Sequence, residues 1–105
     1  MKYGLPDQTI EKLSRVFSRY PQIEKVVLYG SRAKGNFRNG SDIDLTIFGT
    51  GIDETMLDRI AAEIDDLLLP YTVDLSFFDA IENRELREHI ERVGVVFCDR
   101  RVDRS

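Results

Sequence analysis

Two short segments limit the folds open to this chain more than anything else in it: DIDLTIF, starting at Asp42, and YTVDLSFF, starting at Tyr71. In each, apolar and polar residues alternate one by one, the period of an extended strand whose side chains point to opposite faces in turn. Ile43, Leu45 and Ile47 share one face of the first strand, and Asp42, Asp44 and Thr46 share the other. Tyr71, Val73, Leu75 and Phe77 share one face of the second, and Thr72, Asp74 and Ser76 the other. Each strand thus offers an apolar face to a core and a polar face that carries carboxylates. Between them, Asp53 to Leu69 switches to helical spacing, with Met56, Leu57, Ile60, Ala61, Ile64, Leu67 and Leu68 in one apolar stripe. Asp53 is placed to cap that helix and Pro70 to stop it.

The rest of the chain continues the alternation. Asp7 to Tyr20 reads as a helix through Ile10, Leu13, Phe17 and Tyr20, capped by Asp7 or Thr9 and followed by Pro21. Ile23 to Tyr29 is a β-rich run ending at Gly30, Ser31 to Asn36 a short helical turn, and Asn36 to Ser41 a turn-rich loop. Asp79 is placed to cap a helix from Ala80 to about Val93, with Ile81, Leu86 and Ile90 inward; Gly94 ends it and Val95 to Cys98 forms a last strand. The expected fold class is α/β (α+β): a small mixed sheet of about four strands with helices packed on one face. A chain of 105 residues suits one domain. Residues 1–98 are assigned to it, and 99–105 to a charged, solvated tail.

Composition narrows the partners. The net charge of −4 offers no broad basic surface for coating nucleic acid, so no direct nucleic-acid binding is expected. Binding one nucleotide stays open, because a metal ion supplies positive charge locally. The single cysteine, Cys98, excludes an intramolecular disulfide. There is no apolar leader and no run of the roughly 20 apolar residues that a membrane span needs. A cytoplasmic protein without a membrane partner is expected.

If the two alternating strands are neighbours, Asp42, Asp44 and Asp74 converge on one side of the sheet. Unit charges about 4 Å apart repel by ~4 kcal/mol at an effective dielectric near 20, so such a cluster persists by sharing protons or by binding cations. Asp-x-Asp on a strand with a third Asp opposite suits magnesium, a hard cation that takes oxygen ligands and leaves positions for phosphate. Two such ions can hold both the attacking and the leaving oxygen of a phosphoryl displacement. Asp-x-Asp alone is equally at home on a solvated strand face. The turn upstream separates the two cases. Gly30 lets backbone approach a phosphate, Ser31 offers a hydroxyl and, if a helical turn begins there, free N–H groups, and Arg32 and Lys34 bring cations. Ten residues separate Ser31 from Asp42, so Gly-Ser-x10-Asp-x-Asp sets a phosphate turn one connection from a metal-binding strand.

The stretch LYGSRAKGNFRNGSDIDLTIFG resembles the signature of the polymerase-β-like nucleotidyltransferase superfamily, and more closely that of the minimal nucleotidyltransferase (MNT) proteins of prokaryotes. The resemblance covers nearly the whole chain. It implies that Gly30 and Ser31 bind a triphosphate, that Asp42 and Asp44 hold magnesium, and that Asp74 ligates one ion and helps activate the attacking hydroxyl. Arg32 and Lys34 match basic positions common after the Gly-Ser pair. It further implies ATP as nucleotide donor and a helical HEPN protein as partner in a hetero-oligomer. In such pairs the HEPN member is a ribonuclease toxin. The MNT member is the antitoxin, which in some systems transfers AMP to a toxin tyrosine. Larger relatives hold the acceptor on a second domain, for which this chain has no residues to spare, so a docking protein or second subunit is expected to complete the cleft.

Two other readings stay open at this stage: a non-catalytic nucleotide-binding module that neutralises its partner by contact, and transfer to a small molecule such as an aminoglycoside. The intact set of three Asp residues favours transfer over binding alone. His89 is read as a surface or boundary residue of the last helix, Cys98 as a packed thiol, and Tyr29 and Phe37 as core or loop packing.

Overall fold

The computed structural model describes residues 2–38 and 40–99. Asn39, within the expected loop, and the tail from residue 100 lie outside the described residues. The elements run α1 (Asp7–Ser18), β1 (Ile23–Tyr29), α2 (Ser31–Lys34), β2 (Ile43–Gly49), α3 (Glu54–Asp65), β3 (Val73–Phe77), a 3-10 turn (Phe78–Ala80), α4 (Arg84–Val93) and β4 (Val95–Asp99). The four strands form one sheet in the order β3-β2-β1-β4. β1 is antiparallel to β2 and to β4, whereas β2 and β3 are parallel. A parallel pair needs a crossover, and α3 provides it.

The apolar faces expected of the strands meet the helices as anticipated. Val26 and Leu28 of β1, Ile43, Leu45 and Ile47 of β2, Leu13, Val16 and Phe17 of α1, and Ile60 and Ile64 of α3 form the main buried cluster. α1 and α3 are also tied across their surface: the Tyr20 hydroxyl donates to Glu63, and Arg19 Nη1 donates to Glu63 Oε1 at 2.7 Å.

The second face of the sheet departs from the expectation that helices pack on one face. Val27 and Tyr29 of β1 join Ile90 of α4 and Phe78 in a separate cluster, with Leu86 and Ile81 against it. Consecutive residues of β1 therefore feed opposite cores, and α4 packs over the β1 side of the face that also carries Asp44 and Asp74. Gly94 follows α4 because that packing is close. A Cβ there would collide with the Ile90 carbonyl and the Val27 side chain, while its φ of −65° needs no glycine.

Several element ends also move. α1 has Pro6 at its N-cap position, with no side-chain cap, and Thr9 is buried instead of capping. α3 stops at Asp65. Leu68 then takes a left-handed φ of 54° and is 87% exposed, so it leaves the apolar stripe assigned to it. Asp79 falls in the 3-10 turn, and Asn83 caps α4 by accepting from the Leu86 N–H at 3.1 Å. Asp53 caps α3 as expected, accepting from the Met56 N–H at 2.9 Å. Cys98 is half-buried against the main cluster, as expected of a packed thiol.

Candidate active site

The parallel pairing of β2 with β3 decides where the carboxylates go. Asp44 stands directly beside Asp74 in register, between the pairs Ile43–Val73 and Leu45–Leu75. Side chains paired in this way project from the same face of a sheet. Asp42 lies one residue before β2, on the same parity, so the sheet brings all three expected carboxylates to one side. Asp42 and Asp74 are exposed and Asp44 is half-buried. The carboxyl group of Asp44 titrates above its ordinary value. Burial is the main cause, the negative charges of Asp74 and Asp42 add to it, and His89 opposes it. Among the described residues no three His, Cys, Asp or Glu side chains close into a ready-made metal cage. What the structure does provide is two carboxylates in register, a third on the same side, and mutual electrostatic cost that a cation relieves. That donor set fits magnesium.

The Gly30 turn meets this cluster directly. Tyr29 at the end of β1 pairs with Asp44, so the chain leaves the sheet beside that carboxylate. Gly30 has φ 78° and ψ −155°, a conformation open essentially to glycine alone. A Cβ at Gly30 would collide with Asp44 Oδ2. The glycine therefore does two things: it turns the chain into α2 and leaves room for the carboxylate against the backbone. Ser31, which is half-buried, opens α2, and Gly35 closes it at φ 84°. Lys34 is exposed on the same short turn.

Arg32 departs from its expected role at phosphate. Its side chain points inward and the residue is 3% exposed. Nε and Nη2 both donate to the Ser41 carbonyl, at 3.1 and 2.9 Å, and Nη1 donates to the Tyr3 carbonyl at 2.8 Å. The guanidinium stacks near the rings of Phe37 and Tyr71, with its central carbon 5.1 and 5.2 Å from their centroids. Phe37 thus packs in the loop, as expected.

The α4 side of the site holds groups that sequence reasoning set aside. His89 is half-buried, its ring edge-on to Tyr29 at 6.4 Å between centroids, and close enough to Asp44 to affect its charge. The Tyr29 hydroxyl titrates above its ordinary value: burial raises it, nearby Ser76 on β3 opposes that, and the charges of Asp74 and Asp44 add to the rise. Thr46, on the same face of β2, is fully buried, and its hydroxyl has no partner among the described residues. The sequence did carry a signal for this second wall: VVLY in β1 is continuously apolar, the mark of a strand covered on both faces.

This geometry defines a class, a small α/β domain that gathers strand carboxylates beside a glycine-serine turn. Residues 11–103 match the family "Polymerase beta, Nucleotidyltransferase", and the chain belongs to that family. Solved structures share the fold. One chain of a toxin–antitoxin complex with AMP-PNP superposes with a TM-score of 0.70 at 23% identity, covering 94% of this chain and 77% of that one. A chain of the MntA–HepT toxin–antitoxin structure gives 0.68 at 17% identity, with 93% and 76% covered. A structure of the tri-AMPylated Shewanella oneidensis HEPN toxin with its MNT antitoxin gives 0.66 at 17% identity, with 91% and 74% covered. Among proteins of curated function, none is similar enough in sequence to match. Among the described residues no helix is long and apolar enough to cross a membrane.

Proposed function

We propose that this chain is a magnesium-dependent nucleotidyltransferase that moves AMP from ATP onto a HEPN-type toxin partner in the cytoplasm, as the antitoxin of the pair. The observation that carries the reading is the in-register Asp44–Asp74 pair, packed against Gly30 and flanked by Asp42. Family membership supports nucleotidyl transfer. The AMP-PNP complex and the AMPylated toxin among the structural neighbours support adenylyl transfer to a protein.

In this reading Asp42, Asp44 and Asp74 would hold the magnesium. Once bound, it neutralises charge on the triphosphate and on the oxygens that exchange at phosphorus. The chain's own residues do the rest. The Gly30–Ser31 backbone and the Ser31 hydroxyl hold the phosphate tail, and exposed Lys34 adds a cation to it. Asp74 accepts the proton of the attacking hydroxyl. The acceptor oxygen bonds to the α-phosphorus as the bond from that phosphorus to the bridging oxygen breaks, and pyrophosphate leaves with the electron pair. Asp44 and Asp42 keep the reacting groups in line.

The test is to incubate the protein with the product of the neighbouring reading frame, ATP and magnesium, and to measure intact masses. Increments of AMP on the neighbour are expected, and none with Asp42→Asn. A neighbour that stays unmodified while binding tightly would instead establish neutralisation by contact. Modification of a small molecule with the neighbour untouched would establish the third reading.

A further inference from the structure

Arg32 is a buried cation to which the function proposed above gives no part in the transfer chemistry. Among the described residues no carboxylate is paired with it. Burying a guanidinium is costly unless its donors are satisfied, and among the described residues they are spent on main-chain carbonyls. The carbonyls are informative. Ser41 C=O belongs to the peptide that joins Ser41 to Asp42, and it receives two of the three hydrogen bonds. On the other side of Asp42, the Ile43 N–H donates to the Thr72 carbonyl at 2.9 Å, and Tyr71, next to Thr72, lies against the guanidinium. Arg32 itself sits in α2, one residue past Ser31.

The third hydrogen bond goes to a carbonyl of the N-terminal turn, that of Tyr3. Lys2 and Leu5 exchange backbone hydrogen bonds of 3.2 and 2.8 Å. The turn between them puts Tyr3 and Gly4 at φ 59° and 72°. A left-handed tyrosine is strained and persists where the surroundings hold it. Here the turn presents the Tyr3 carbonyl to Arg32. A Cβ on Gly4 would collide with the Phe37 ring, which lies on the same guanidinium.

We propose that Arg32 is a positioning residue: it locks the Ser41–Asp42 peptide to the Gly30–Ser31 turn, with the N-terminal turn as its third support. The triphosphate-holding and metal-holding parts of the site then keep one fixed geometry. Arg32 touches neither metal nor nucleotide and acts through Asp42. The inference rests on the assignment of Asp42 as a metal ligand given above.

The experiment is manganese binding in the presence of AMP-PNP, followed by the paramagnetic signal of the ion. It is run on the parent chain, Arg32→Lys, Asp42→Asn and the double variant, with circular dichroism confirming the fold of each. Lysine keeps the charge but not the fork that clasps one carbonyl twice. Affinity is expected to fall about tenfold in folded Arg32→Lys. The double variant is expected to bind no more weakly than Asp42→Asn alone, because the arginine acts through that carboxylate. Parent-like affinity in Arg32→Lys, or a further full loss in the double variant, would overturn the proposal while leaving the metal site standing. No manganese binding by the parent would sink the metal site itself, and this proposal with it. Should Arg32→Lys not fold, Gly4→Ala decides: it keeps the arginine and every carboxylate, and its added methyl presses on Phe37 and on Arg32 Nη1, so it disturbs the clasp itself. A loss of a few-fold is expected, and parent-like affinity overturns the proposal.

Discussion

Two glycines with the same sign of φ show how differently a residue can be constrained. Gly30 and Gly35 bracket α2 at φ 78° and 84°. A Cβ at Gly35 meets nothing within 4 Å, whereas one at Gly30 meets the Asp44 carboxylate. Gly35→Ala therefore carries only backbone strain, about 1 kcal/mol, and should leave nucleotide binding intact. Gly30→Ala carries strain of roughly 1–3 kcal/mol and also displaces Asp44. Urea denaturation should rank Gly30→Ala as the less stable of the two. A titration with AMP-PNP and magnesium should show a loss beyond tenfold for Gly30→Ala alone. Equal affinities in the two variants would separate Gly30 from the site. The arginine two positions on makes the complementary point about legibility. Its neighbourhood to glycine and serine pointed to phosphate, because sequence shows which residues are close along the chain and not which way a side chain turns. Only the placement of Ser41, Tyr71 and Tyr3 around it shows that it holds main chain.

At the scale of elements, periodicity marked the two alternating strands and the longer helices, composition and turn residues marked the shorter elements, and the 3-10 turn at Phe78–Ala80 went unread, with the other misplacements at element ends. Asp79 and Asn83 are both good caps, and the choice between them was made by the 3-10 turn at Phe78–Ala80, which packs Phe78 into the second core. The stripe of α3 ran on to Leu68 in sequence, but the chain must reverse to start β3, and Leu68 pays with a left-handed conformation in solvent. Strand order was not legible, because alternation specifies faces and not neighbours. The parallel β2–β3 register that sets Asp44 beside Asp74 is a product of the α3 crossover. That crossover is itself fastened to α1 at Glu63, and the fastening makes a pH-dependent contribution. The Tyr20 hydroxyl, and secondarily Arg19, hold the Glu63 carboxyl below its ordinary value. A carboxyl depressed in the folded state adds stability that is full above its unfolded pKa and is lost as pH falls through the folded value. Glu63→Gln should therefore flatten the acid limb of stability between about pH 3 and 6, with the difference from the parent greatest at neutral pH. Urea midpoints across that range test it, and parallel curves for the two proteins would contradict it.

The whole molecule carries a net charge of −4, and its carboxylate face is open, with Asp42 and Asp74 exposed and β3 at the sheet edge. A free nucleoside triphosphate is repelled by such a body, so in the proposed function its affinity would depend on cation and on the surface that closes over the site. If the acceptor protein docks there, nucleotide and partner share one cleft and their binding free energies are coupled. Coupling is reciprocal: the factor by which the partner tightens nucleotide binding must equal the factor by which nucleotide tightens partner binding. Typical coupling of about 1–3 kcal/mol gives factors of roughly 5 to 150. Calorimetric titration of AMP-PNP with magnesium, with and without the HEPN-type partner, should show such a gain. Titration of the partner, with and without nucleotide, should return the same gain. Both gains should shrink together in Asp42→Asn, since that variant weakens the charge bridge without touching the rest of the surface. A partner that binds with the same affinity whether or not nucleotide is present would place the stable interface away from the carboxylates. The acceptor would then reach the site only in passing.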